Sequence, residues 1–208
     1  KVMTKNMTTG SPFKLIMSFA LPLLIGNLLQ QTYNLIDAAI VGRFLGSDAL
    51  ASVGASSSVQ FLVLGFCMGT ACGFGVPIAR HFGAGDIKKL KQYFYNSIVI
   101  TAVTALVLTT VCGVLCSEIL KLLSTPSNIF DDAYKYLLVI FLGIPFTLLY
   151  NLLSSVLRSV GDSKTPFVFL AISTVLNIVL DLVCVIVLKW GCMGAAVATV
   201  VAQAISGI

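Results

Sequence analysis

Six stretches of this sequence contain no Asp, Glu, Lys or Arg: Leu15–Ile36, Ala49–Ala79, Gln92–Ser117, Tyr136–Leu157, Thr165–Leu180 and Trp190–Ile208. A membrane-spanning helix needs about 20 mostly apolar residues, and each stretch reaches or approaches that length. The fifth continues past a single acid, Asp181, to Leu188. Hydrocarbon offers no hydrogen bonds to the backbone, so a crossing segment must satisfy its own amides, as a helix does. Runs such as Ile98–Val111 lack the alternation that barrel strands require. The pattern predicts an all-α polytopic membrane protein with six transmembrane helices over 15–42, 49–79, 92–117, 136–157, 165–188 and 190–208, in a single unit 1–208.

Composition closes the other routes. Soluble domains carry about 25% charged residues, whereas this chain carries 10% charged and 58% hydrophobic residues with a mean hydropathy of +1.01. That excludes a soluble enzyme, a disordered tail and a nucleic-acid module. The net charge of +5 is scattered in short segments between apolar runs. Basic residues so placed report orientation in the bilayer. With a cytoplasmic N-terminus, that side holds nine of them: Lys1, Lys5, Lys14, Arg80, Lys88, Lys89, Lys91, Arg158 and Lys164. Only four, Arg43, Lys121, Lys135 and Lys189, fall opposite. The reading is a multi-pass protein of the cytoplasmic membrane with both ends inside. Its first run is of full spanning length and lacks a cleavage context. The last run stops at Ile208 with no charged flank, as in a chain cut within or at the end of its final helix.

Cys67, Cys72, Cys112, Cys116, Cys184 and Cys192 have no zinc-ligand spacing and read as small hydrophobes. The basic connection Arg80–Lys89, with His81, reads as a loop anchored at the headgroups.

The informative residues are polar ones inside apolar runs. A charge near the bilayer centre costs at least ~2.5–3.5 kcal/mol on insertion scales and marks an ion or substrate path. Asp37 follows Asn27, Gln30, Gln31, Tyr33 and Asn34 in the first run, and Asp181 follows Asn177 by one turn in the fifth. Residues four apart share a helix face, so Asn177 and Asp181 can present an amide and a carboxylate to one guest. Two plainer readings stand beside this: Asp37 as an interfacial acid near Arg43 and Asp48, and Asp181 as a helix-end charge paired with Lys189. Thr199 lies one turn after Ala195, in a small-residue segment that leaves backbone oxygens reachable. Two carboxylates, an amide, a hydroxyl and a carbonyl would suit a hard cation such as Na⁺ if they converge. Carboxylates held close do not both stay charged, so the same pair would also carry a proton.

Pro22, Pro77 and Pro145 interrupt three of the runs and can kink helices or supply hinges. Gly65, Gly69 and Gly73, at four-residue steps, suggest close helix packing.

Several segments together resemble the multidrug and toxic compound extrusion (MATE) family of cation-coupled antiporters. They are Leu21-Pro22, Asp37 to Gly46, Ala49-Leu50-Ala51, Gly54, Gly83 to Asp86, Arg158 to Pro166, and Asn177 to Asp181. The resemblance implies two six-helix lobes about a pseudo-twofold axis with a central cavity, of which this chain resembles the N-terminal lobe alone. It implies a cation site at Asp37, Asn177, Asp181, Thr199 and the carbonyl of Ala195. Tyr136 and Asn151 match positions that tune the site or line the cavity, and Asn34 is a further candidate beside Asp37. Helix bending at Pro22 would follow changes in protonation or cation occupancy.

The expected function is export of drugs or organic cations in exchange for H⁺ or Na⁺, with no other cofactor and no nucleic-acid partner. The lipid bilayer, a cationic small molecule and the missing C-terminal lobe are the expected partners. A flippase for lipid-linked oligosaccharides is the alternative within the same superfamily. No nucleophile–base pair points to an enzyme, and no repeated filter motif points to a channel.

Overall fold

A computed structural model describes residues 11–207, which are helical throughout apart from short connections. Lys1 and Lys5, which enter the charge asymmetry, and Ile208, where the last run stops, lie outside these residues. Helix α1 spans Pro12–Leu45, with Pro12 in its first turn, where the missing N–H costs nothing. Gly46, at φ 92°, links it to α2, Ser47–Gly83. Gly85, at φ 72°, turns the chain into α3, Ile87–Leu122. The Asp86 side chain caps α3 by accepting from Lys89 N at 3.0 Å. His81 stacks on Tyr93 with ring centroids 5.0 Å apart and so buttresses the same turn.

The fourth run departs from the expected single helix over 136–157. Two helices replace it, α4 over Ser127–Leu142 and α5 over Ile144–Ser159, bent by 45° at Gly143. Pro145 cannot donate to the preceding turn. Packing keeps position 143 a glycine, because the Val200 side chain of α7 occupies the space a Cβ there would need. Helix α4 also begins earlier than the charge-free run, taking in Asp131, Asp132 and Lys135. Such charges are tolerated at a helix end, and Lys135 Nζ lies 3.8 Å from Asp131 on the exposed surface.

Helix α6, Lys164–Leu182, is started by Asp162. Its carboxylate accepts from Lys164 N (3.1 Å), Thr165 N (3.0 Å) and Thr165 Oγ1 (2.6 Å). The helix widens into a π-helical turn at Val183–Val187. Gly191, at φ 62°, opens α7, Gly191–Gly207. By length and composition α1, α2, α3 and α6 with its π turn can each cross a membrane, and the bent α4–α5 pair supplies a fifth crossing. Helix α7 is a shorter apolar helix of 17 residues. The six runs thus map onto these helices.

Packing is built around two buried clusters. Cys67, Cys112, Cys116, Leu120, Leu137 and Phe141 join α2, α3 and α4, with Ile144 and Leu148 adding α5. Ile40, Val41, Tyr136, Val185, Cys192 and Ala195 join α1, α4, the π turn and α7. Large apolar side chains such as Leu106, Val114 and Val175 point outward, as a lipid-facing surface requires. Interhelical hydrogen bonds hold the interior: Ser52 Oγ donates to Ile129 O at 3.3 Å, Ser159 Oγ to Gly75 O at 2.9 Å, and Ser173 Oγ to Ala202 O at 3.1 Å.

The glycine expectation fails. Positions 65, 69 and 73 have open space where a side chain would go. The close approach occurs instead at Gly75, against Ser155 and Ser159 of α5. Helix α1 is the least embedded element, with only Gly26, Asp37, Ile40 and Val41 buried. It runs unbroken through Pro22.

Candidate cation site and cavity

Asp37 comes from the C-terminal third of α1 and Asp181 from the end of α6, just before the π turn. Both are buried, with Asp181 fully inaccessible, and the two carboxyl groups lie within hydrogen-bonding reach of each other. Neither joins any of the four ion pairs found among the described residues. Arg43, Asp48 and Lys189 are exposed instead. The Lys189-paired reading of Asp181 therefore does not hold, and Asp37 makes no ion pair with Arg43.

Asn177 and Thr199 complete the cluster. Asn177 Nδ2 lies 3.2 Å from Thr199 Oγ1. With its amide turned the other way, the nitrogen donates to Asp181 Oδ2 at 3.2 Å while the oxygen accepts from Thr199 Oγ1 (3.2 Å) and Thr199 N (3.3 Å). The second arrangement pairs donors with acceptors throughout and is the one the chemistry favours. Ala195, fully buried one turn before Thr199, can offer only its backbone oxygen. After these contacts Asp37 Oδ1 and Asp181 Oδ1 are still buried without a hydrogen-bond partner. A buried, unpaired carboxylate oxygen is costly. The cluster thus has the composition of a receptor for one positive charge, either a proton or a Na⁺ ion held by oxygens.

Beside it lies an open cavity of about 1020 Å³ lined by α1, α2, α4, α5, α6 and α7. Tyr136, Asn151 and Asn34 all line it. Tyr136 donates to Gln60 Oε1 at 3.4 Å, Asn151 Nδ2 to Thr147 O at 2.8 Å, and Asn34 Nδ2 to Gln31 Oε1 at 3.1 Å. Pro22 lines the cavity as well. Four polar residues not singled out from the sequence as site residues belong here: Tyr33, Gln60, Thr147 and Gln203. Thr147 Oγ1 donates to Gln203 Oε1 across α5 and α7. Gln60 and Gln203 had a usable signal, since each is a glutamine inside a charge-free run. Thr147 carries no such mark in an apolar helix, whereas Tyr33 stands in the polar series that precedes Asp37. Asn177 and Thr199 line the cavity, so the acid cluster adjoins it.

A protein-family model described as MatE matches residues 22–183. The chain is 35% identical over 202 residues to the probable multidrug resistance protein YpnP of Bacillus subtilis (strain 168), covering 97% of this chain and 45% of that protein. It is 33% identical over 204 residues to the probable multidrug resistance protein YoeA of the same organism, covering 96% and 44%. It matches the crystal structure of MATE in complex with MaL6 with a TM-score of 0.92 at 25% identity, covering 100% of this chain and 46% of that one. The chain thus spans about 45% of the length of the relatives it matches.

Proposed function

Because the chain belongs to the MatE family, we propose that it forms the N-terminal lobe of a drug exporter whose cycle is driven by H⁺ or Na⁺ bound between α1, α6 and α7. The observation that carries this reading is the adjacent pair Asp37 and Asp181, buried and each with an unpartnered oxygen. A cation entering that cluster ties the sparsely packed α1 to α6 and α7. Its departure frees α1, whose N-terminal two-thirds makes few buried contacts, to bend near Pro22. Movement of α1 reshapes one whole wall of the cavity, because Pro22, Gly26, Gln30, Tyr33 and Asn34 all line it. Exchange requires cation and guest to prefer different α1 positions, since a ligand with equal affinity for both states shifts nothing. Drugs, organic cations among them, are the proposed cargo, and a second lobe would close the cavity. The distribution of Lys and Arg supports a cytoplasmic-membrane setting with the N-terminus inside.

The test is cation-driven efflux by the full-length protein carrying Asp37→Asn or Asp181→Asn. Each variant should lose gradient-driven export while still inserting into the membrane. Undiminished efflux by both would sink the proposal.

A further inference from the structure

We propose that Lys88 and Lys91, on the outer face of α3, bind the headgroup of an anionic phospholipid, whose acyl chains lie along the apolar row that continues the same face. The site is remote from the cavity: among the described residues no α3 side chain lines it. It stands whether or not the protein exports drugs.

Free positive charge collects where α2 turns into α3. Arg80, Lys88, Lys89 and Lys91 are all exposed there. Asp86 is the only acid between Arg80 and Glu118, and it is already engaged. One of its oxygens accepts from Lys89 N at 3.0 Å, and the other lies 3.8 Å from Lys89 Nζ and 4.0 Å from His81 Nδ1. Lys88 and Lys91 take part in none of the four ion pairs among the described residues. Side chains three positions apart on a helix have Cβ atoms about 5–6 Å from each other, so the two ammonium groups can close on one phosphate.

The rest of that face selects a lipid over a soluble phosphate. Lys88, Lys91, Tyr95, Val99, Val103 and Leu106 follow one another at three- and four-residue steps and so form one stripe. Tyr95, Val99, Val103 and Leu106 are each more than half exposed, so nothing in the lobe covers them. Tyrosine settles at headgroup level, with its ring toward the hydrocarbon. Lys88 precedes Tyr95 by seven positions, about 10 Å along the axis, which sets its ammonium at the depth of the phosphates. A soluble phosphate would meet the lysines and leave the apolar row bare, whereas a diacyl lipid satisfies both. Phosphatidylcholine brings its own cation to the phosphate, so the lysines favour a headgroup of net negative charge, such as phosphatidylglycerol.

The full-length protein, stripped of lipid in detergent, is titrated with phosphatidylglycerol or with phosphatidylcholine of the same acyl chains, and native mass spectrometry counts the bound lipids. The first phosphatidylglycerol should bind about twentyfold more tightly than the first phosphatidylcholine, a factor of about five from each lysine. K88Q/K91Q should bring the two lipids within about twofold of each other. K88R/K91R keeps both charges and should retain the preference, which separates loss of charge from loss of fold. R80Q removes a charge at the same end but off the stripe, and should leave most of the preference intact. Equal binding of both lipids by the unaltered protein overturns the site, as does a preference that survives K88Q/K91Q or disappears in K88R/K91R. A fall as large in R80Q as in K88Q/K91Q also overturns it, in favour of a diffuse basic surface. Displacement of phosphatidylglycerol by millimolar glycerol phosphate would overturn the lipid and leave only a phosphate site.

Discussion

A methyl group on Gly75 would enter the seam between α2 and α5. It would sit 2.6 Å from Ser155 Oγ and 2.8 Å from Ser159 Oγ, closer than real Cβ contacts run. A serine hydroxyl can rotate away, but Ser159 Oγ is already engaged with Gly75 O at 2.9 Å and Ser155 O at 2.8 Å. Turning it forfeits a hydrogen bond worth about 0.5–1.5 kcal/mol, and spreading the helices instead carries an overpacking cost of about 1–3 kcal/mol. Alanine's better helix propensity returns at most about 1 kcal/mol. The net expectation for Gly75→Ala is destabilisation by about 1 kcal/mol and at most about 2 kcal/mol. Gly69→Ala and Gly73→Ala on the same helix meet nothing within 4 Å and should be neutral or slightly stabilising. Five of the six cysteines are buried, so a thiol-reactive fluorophore followed during heating in detergent reads unfolding directly. Ser159→Ala should soften the Gly75→Ala penalty by removing one of the two crowding oxygens. The reasoning fails if Gly75→Ala melts with the unaltered protein, or if alanine at 69 and 73 costs as much as at 75.

Asp162→Ala removes three hydrogen bonds from the first turn of α6 and should cost about 0.5–2 kcal/mol. Faster amide exchange over residues 164–168 is the expected signature, and unaltered exchange there counts against the cap. If Na⁺ is the driving ion, replacing choline by Na⁺ at about a hundred times the dissociation constant should stabilise the protein by about 2.7 kcal/mol. Asp181→Asn should abolish that gain, whereas no gain together with acid-driven efflux would assign the proton. Thr199→Val keeps the shape but leaves Asn177 short of a partner, at a cost of about 1–3 kcal/mol. Calorimetric unfolding would measure that loss, and a silent substitution would place the hydroxyl outside the cluster.

The long helices were legible because lipid leaves a backbone few options, so charge-free length translates directly into a rod. Asp37 and Asp181 were legible for the same reason: a carboxylate in an apolar run demands an explanation. Their side-by-side placement was not legible, because α1 and α6 are far apart in the chain and only packing brings them together. The break at Gly143 was not legible either, although Pro145 marks it, since a proline alone does not tell a kink from a break. The Val200 side chain, which requires a glycine at 143, comes from another helix and left no trace in the sequence nearby. The glycine series at 65, 69 and 73 misled because small residues permit close contact without enforcing it. Gly75, out of step with that series, is where α5 crosses.

The widened winding at Val183–Val187 stores one surplus residue inside the rod, with Leu188 N reaching Val183 O at 2.9 Å, five positions back. Deleting any one of these residues would restore ordinary pitch and rotate the positions that follow, up to the turn at Lys189 and Gly191, by about 100° around the α6 axis. A pentapeptide of four aliphatic side chains and one buried thiol therefore sets the direction in which the chain leaves the rod just beyond Asp181, and its length matters more than its side chains.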